Sequence, residues 1–130
     1  MNRIFASGGP LALSLLRLMS GLLLLQHGTQ KMLGFPAAYP RPIEFGSLTW
    51  FSGVIELVCG ILIAAGLFTR PAAFLASGFT AVAYFMAHAP RGFYPILNGG
   101  ELAALYSFVF LYLSLVGGGP ISLDAKLRNK

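Results

Sequence analysis

Four apolar stretches, each about as long as a bilayer is thick, constrain this chain more than any other feature. They run from Leu11 to about Leu33, from about Leu48 to Phe68, from Pro71 to about His88, and from about Asn98 to Val116. At 1.5 Å per helical residue, runs of ~18–23 residues reach roughly 27–35 Å, which matches a hydrocarbon core of ~30 Å. The chain has 130 residues, 56% hydrophobic and only 10% charged. A soluble domain this short has too little interior to hide so much apolar surface. The expected fold is all-α: a four-helix transmembrane bundle, with residues 1–130 forming one domain. The first run is too long for the core of a cleaved leader, contains Arg17 and lacks a small-residue cleavage site. It is therefore expected to persist as helix one.

The connections carry breakers. Gly34 to Ser47 reads GFPAAYPRPIEFGS, with three prolines, and cannot continue a helix. Phe68-Thr69-Arg70-Pro71 is a tight turn in which Thr69 is expected to cap the next helix. Ala89 to Leu97 is a third loop, and a Gly-Pro break after Val116 is expected to release a short polar tail. With four spans, Arg3, Arg70, Lys126, Arg128 and Lys130 share one side, against Lys31, Arg41 and Arg91 on the other. Basic residues favour the inside, so both termini are expected to be cytoplasmic. Tyr39, Trp50, Phe93 and Tyr94 then lie at the outer boundary, as an interfacial aromatic belt does.

Several function classes drop out. The net charge is +5, but no basic stripe with interleaved aromatics tracks a phosphate backbone, so no nucleic acid is expected as partner. Cys59 is alone, which excludes an intrachain disulfide and a Cys-rich metal site. The histidines and carboxylates show no metal-ligand spacing, and no metal is expected. No nucleotide-binding or serine-hydrolase motif occurs.

Ionisable groups inside apolar runs are costly and normally face a partner or a cavity. On helix one, Ser14, Arg17, Ser20, Gly21, His27, Gly28 and Lys31 fall within about 140° of arc, so a polar stripe is expected to face the bundle. His27 lies ~9 Å from the outer end of its helix, Glu56 ~12 Å and Glu101 ~5 Å from theirs. Antiparallel connectivity therefore gathers His27, Lys31, Glu56, His88, Arg91, Asn98 and Glu101 in the outer half. Such a set offers hydrogen-bond donors and proton acceptors to a quinone headgroup, with Phe and Leu walls for its ring and tail. It equally suits a cluster of ion pairs that fixes packing, Glu56 with Lys31 or Arg17, and Glu101 with Arg91. Arg17 itself lies within reach of the inner headgroups. Small residues at four-residue spacing, Gly60 and Ala64, then Ala72, Ala76 and Thr80, then Ala73, Ser77 and Ala81, suit close helix packing within the chain or in a homo-oligomer.

Two blocks then carry a family resemblance: LLRLMSGLLLLQHGTQKMLGF (Leu15 to Phe35), and Phe51 to Ala125 with its Glu56 segment, GLFTRPAA turn and NGGE start of helix four. In order and spacing they resemble the DoxX family over about residues 11 to 125. The resemblance implies a small four-helix protein of the bacterial plasma (inner) membrane. It also implies a link to redox chemistry, since the family name comes from a subunit associated with a terminal quinol oxidase and thiosulfate:quinone oxidoreductase activity. Other relatives are tied to redox stress complexes or have no assigned activity. The expectation is a protein that binds a quinone-like or other small amphipathic ligand and assists a redox process with a membrane partner. His27 and Glu56 are expected to contact ligand or protons, Lys31 and Glu101 to tune their charge, and Arg17 to anchor the inner half. The alternatives are a non-catalytic assembly subunit of a membrane complex and a small transporter.

Overall fold

The computed structural model describes residues 2–129 of the chain. Lys130, part of the charge asymmetry, lies outside the described residues. Helices are α1 (Asn2–Leu33), α2 (Leu48–Ala65), α3 (Thr69–Ala83), the short α4 (Pro95–Asn98), α5 (Glu101–Val116) and the short α6 (Leu123–Arg128). No strand occurs among the described residues. α1, α2 and the α3 segment through Arg91 are long and apolar enough to cross a membrane, and α5 is a shorter apolar helix. The result is a helical membrane bundle built of two antiparallel hairpins, α1 with α2 and α3 with α5, joined along α2 and α3. One end carries the segment between α1 and α2 and the turns after α3; it is called the loop end. The other carries the α2–α3 turn and α6; it is called the terminal end.

Glycine sets the first hairpin. A Cβ on Gly21 would sit 2.5 Å from the Ala64 nitrogen, and one on Gly60 would lie 2.6 Å from Leu25 Cα. A Cβ on Gly28 would collide with the backbone of Leu57. Only hydrogen fits at these three points, so the α1 and α2 backbones meet closely, which in lipid is the main source of helix affinity. The polar stripe of α1 follows that contact inward: Ser14, Arg17 and Ser20 are all buried. The leucines opposite, among them Leu15, Leu18 and Leu22, are exposed to the surroundings that lipid fills. In the second hairpin Ala72, Ala73 and Ala76 are buried with Tyr106, Phe110 and Leu113. The small residues of α2 and α3 are therefore used, at these positions, in packing within the chain.

The structure differs from the sequence reading at four boundaries. α1 begins at Asn2 rather than Leu11, and Arg3 to Ala12 are exposed along it. α2 stops at Ala65, because Gly66 takes a left-handed conformation (φ 71°) and closes the helix as glycine can. α3 does not run as one α-helix to His88. Tyr84–His88 forms a widened turn in which the Ala89 N–H donates to the Tyr84 carbonyl, and a tighter turn, Ala89–Arg91, follows. The last span starts at Glu101 rather than Asn98, after a break at Gly99, which is also left-handed (φ 73°).

The tail is not released. It folds back across the terminal end, where side chains from elsewhere in the chain complete the end of α2 and the start of α3. Arg17, from α1, donates through one guanidinium nitrogen to the carbonyls of Ile63 (3.3 Å) and Ala64 (3.1 Å) at the end of α2, and through the other to Ile121 O at 2.6 Å. It thereby satisfies carbonyls that a helix end leaves open, at the pole that favours a cation. Asp124 performs the converse task. Its carboxylate accepts the N–H groups of Phe68 (2.8 Å) and Thr69 (2.9 Å) at the start of α3. Thr69, expected to cap α3, is instead its first residue, and the cap arrives from 55 residues away. Phe68 holds a left-handed conformation (φ 48°), uncommon without glycine, and its amide is pinned by that carboxylate. Burial pushes the Asp124 carboxyl up, but the hydrogen bonds from Thr69 and Phe68, with Arg128 nearby, outweigh it and hold it below its ordinary value.

Asp124→Ala is expected to cost about 1–2 kcal/mol, as losing a helix N-cap does, seen as a lower melting temperature in detergent. Because the folded carboxyl titrates below its ordinary value, its stabilisation is complete above the ordinary carboxylate range. It is lost as pH falls through the folded value. Asp124→Asn should therefore blunt the acid limb of the stability profile, and an unaltered limb would argue against the cap.

Candidate functional site

The close contact at Gly28 and Gly60 fixes the register of α1 on α2, and that register sets Lys31 beside Glu56. Their Nζ and Oε1 atoms are 3.0 Å apart, with both side chains largely buried. It is the one ion pair among the described residues. Lys31 Nζ also donates to Ser52 Oγ at 3.0 Å, and Ser52 Oγ in turn donates a hydrogen bond to Thr49 O at 2.6 Å. Tyr39 reaches back from the α1–α2 segment, its ring centre 5.9 Å from Lys31 Nζ, in range for a cation–π contact. Two acceptors and one aromatic face thus surround one ammonium group.

These residues open onto a cavity of about 570 Å³ in the loop-end half of the bundle. α1 contributes Leu24, His27 and Lys31; α2 contributes Ser52, Ile55 and Glu56; α3 and its widened turn contribute Thr80, Met86 and His88; α5 contributes Leu102 and Tyr106. The size lies within the range of small-molecule sites, and the mix of mostly apolar walls with a few polar groups is typical of them. Two of those polar groups stand out. The second carboxylate oxygen of Glu56 and the hydroxyl of Tyr106 are both buried and have no hydrogen-bond partner. Such groups cost free energy unless something pairs with them.

The widened turn places His88 in the wall. Its Nδ1 lies 3.1 Å from Asn98 O, and its ring stacks on Tyr84 at 6.3 Å between centres. Asn98 is a buried hub: its side-chain amide donates to Tyr84 Oη (3.1 Å) and Gly92 O (2.9 Å), and its oxygen accepts from Gly100 N (2.8 Å). Single widened turns of this kind recur at functional positions in helices. Here it joins a cavity wall to the α3–α5 connection.

Of the residues singled out in the sequence, the structure brings His27, Lys31, Glu56 and His88 to one cavity. It does not bring Glu101 there. That carboxylate sits exposed in the first turn of α5, where the helix dipole favours it, because the break at Gly99 and Gly100 starts the helix on its outer side. Arg91 is exposed as well, and the two form no ion pair among the described residues. Arg17 lies at the opposite end, 3% exposed and bonded to carbonyls rather than to lipid headgroups. Tyr106, Thr80 and Ser52 were not anticipated. Tyr106 lies five residues after Glu101 in an apolar run, and only its pairing with α3 turns it inward. No three His, Cys, Asp or Glu side chains cluster as metal ligands among the described residues.

The sequence model of the DoxX family matches residues 12–89, which include three of the spans and most of the cavity-lining residues. The chain belongs to the DoxX family. An uncharacterized protein of Haemophilus influenzae is 44% identical to it, covering 93% of this chain and 94% of its own length. An uncharacterized membrane protein of Mycobacterium tuberculosis is 33% identical, covering 98% and 88%. No solved structure matches this DoxX chain.

Lys31→Met should destabilise this DoxX protein by about 3–5 kcal/mol, because it leaves a buried carboxylate without its counter-charge. Lys31→Met with Glu56→Gln should recover most of that loss. Equal melting temperatures for the single and double variants would mean that the pair contributes nothing of its own.

Proposed function

We propose that this DoxX chain binds a quinone-like or other small amphipathic molecule in the loop-end cavity. The observation that carries the reading is the convergence of two partnerless polar groups, Glu56 Oε2 and Tyr106 Oη, from different helices on one largely apolar chamber. A ligand with two polar atoms on a flat apolar ring suits that pattern. Tyr106 would donate to one oxygen. His27, or Lys31 beside Glu56, would serve a second. Leu24, Ile55 and Leu102 would pack on the ring. When bound, a quinone would supply the electron and proton chemistry, and the chain's own residues would hold and orient it.

The cavity's flank favours a ligand that arrives from lipid. Phe51 of α2 and Val82 and Met86 of α3 and its turn line the chamber, yet each is more than half exposed on the outer surface. Between α2 and α3 the bundle is therefore open sideways, away from their tight turn. In this reading the chain assists a redox process with a membrane partner, in keeping with the family resemblance. It sits in the bacterial inner membrane with both termini in the cytoplasm.

Quinone analogues should raise the melting temperature of the purified protein in detergent. Tyr106→Phe should weaken that binding about tenfold, the loss of one hydrogen bond of ~1.4 kcal/mol. His27→Ala or Glu56→Gln should abolish the stabilisation while leaving the chain folded. If all three variants bind normally, the ligand sits elsewhere. Orientation has its own check. A reporter that is active only outside the cytoplasm should work when fused in the Gly34–Ser47 loop and stay silent at the C-terminus; the reverse result inverts the assignment.

A further inference from the structure

The terminal end holds a second cavity, an open groove of about 520 Å³ beneath the folded-back tail, unrelated to the ligand chamber. We infer that this groove is a binding site for the phosphate of an anionic membrane lipid, held by Arg70 and Arg128. Arg70 enters the first turn of α3 and gives one guanidinium nitrogen to Leu115 O at 2.6 Å. Its other donors, beside Gly117, have no partner among the described residues. Arg128 lies across the groove on α6 with no hydrogen bond to the chain among the described residues. Two guanidinium groups with free planar donors suit a phosphodiester.

The one acid in the groove, near Arg128, offsets at most one of the two charges. Asp124 turns each of its oxygens to a backbone N–H at the start of α3, so its charge is matched by that helix end. One positive charge remains in excess. The hydroxyl of Thr69 is fully buried beside Asp124 in the same groove.

The rim favours a lipid over free phosphate. Phe68, Leu115 and Leu127 are exposed around the groove, at 63%, 67% and 55%. Phe68 stands where α3 begins, Leu115 where α5 ends and Leu127 on α6, at the depth of headgroups and upper acyl chains. A lipid would set its phosphate between the arginines and its chains along that apolar rim, in the way juxtamembrane basic groups attract anionic lipid. Arg3 and Lys126, at the same end, add to the field without entering the groove.

The test uses the full chain in detergent, with native mass spectrometry and thermal unfolding. The probes are phosphatidylglycerol, phosphatidylcholine and inorganic phosphate at equal concentration. Phosphatidylglycerol should remain bound at one per chain and raise the melting temperature; the other two should do neither. Arg128→Gln, which breaks no hydrogen bond among the described residues and removes only a charge near Asp124, should weaken that binding about fivefold, and adding Arg70→Gln should multiply the loss by a similar factor. Equal retention of the two lipids, stabilisation by phosphate alone, or undiminished binding in Arg128→Gln would each overturn the assignment.

Discussion

A single buried guanidinium holds the terminal end together. Arg17 rises from the middle of an apolar helix and takes no carboxylate as its hydrogen-bonding partner. It meets three carbonyls, two from the last turn of α2 and one from the returning tail. Charge placed there would be expensive in lipid without donors and acceptors in register. The tail therefore cannot detach without stranding that charge. Ser14 strengthens the same seam, accepting the Ile121 N–H at 3.1 Å. Asp124 uses the docked tail to start α3. Ends of α2 and α3 that chain geometry leaves unsatisfied are thus completed by side chains from elsewhere.

From that fixed end, order propagates along the α1–α2 seam. Gly21, Gly60 and Gly28 lie at successive levels, and each admits no side chain. Two backbones in such contact cannot slide without collision, so the relative heights of His27, Lys31 and Glu56 are determined before any charge is considered. The ion pair is then a consequence of packing, and it leaves one carboxylate oxygen unmatched. On the other side α3 and α5 are zipped by alanines below, and by Ser77 donating to Ser107 O at 2.7 Å. The chamber lies where the two hairpins part.

Much of this was legible in the residues. Apolar run length gave the spans, because bilayer thickness is a hard ruler. Depth along each run, with alternating direction, brought His27, Lys31, Glu56 and His88 to one end. Glu101 escaped that logic: depth says how far along a helix a group lies, while the facing direction depends on where the helix starts. Two left-handed glycines, Gly66 and Gly99, moved those boundaries by a few residues, enough to turn a side chain from inside to outside. Tyr106 was hidden for the opposite reason, since a tyrosine in an apolar run reads as wall until its neighbours are known. The Asp124 cap spans more than fifty positions of sequence and has no local signature.

The brevity of α5 reaches beyond the protein itself. Its 16 residues make a helix of only ~24 Å, some 6 Å short of a typical hydrocarbon core. Its outer face is nonetheless apolar, with Leu105, Phe108 and Leu115 turned to the surroundings. A bilayer meeting a short hydrophobic wall dimples to match it, at a modest elastic cost for each ångström. Beside α5 the lipid would dip, while along the longer α1 it keeps full height. Each molecule would therefore carry its own lopsided depression, and neighbours that share one would relieve the deformation together.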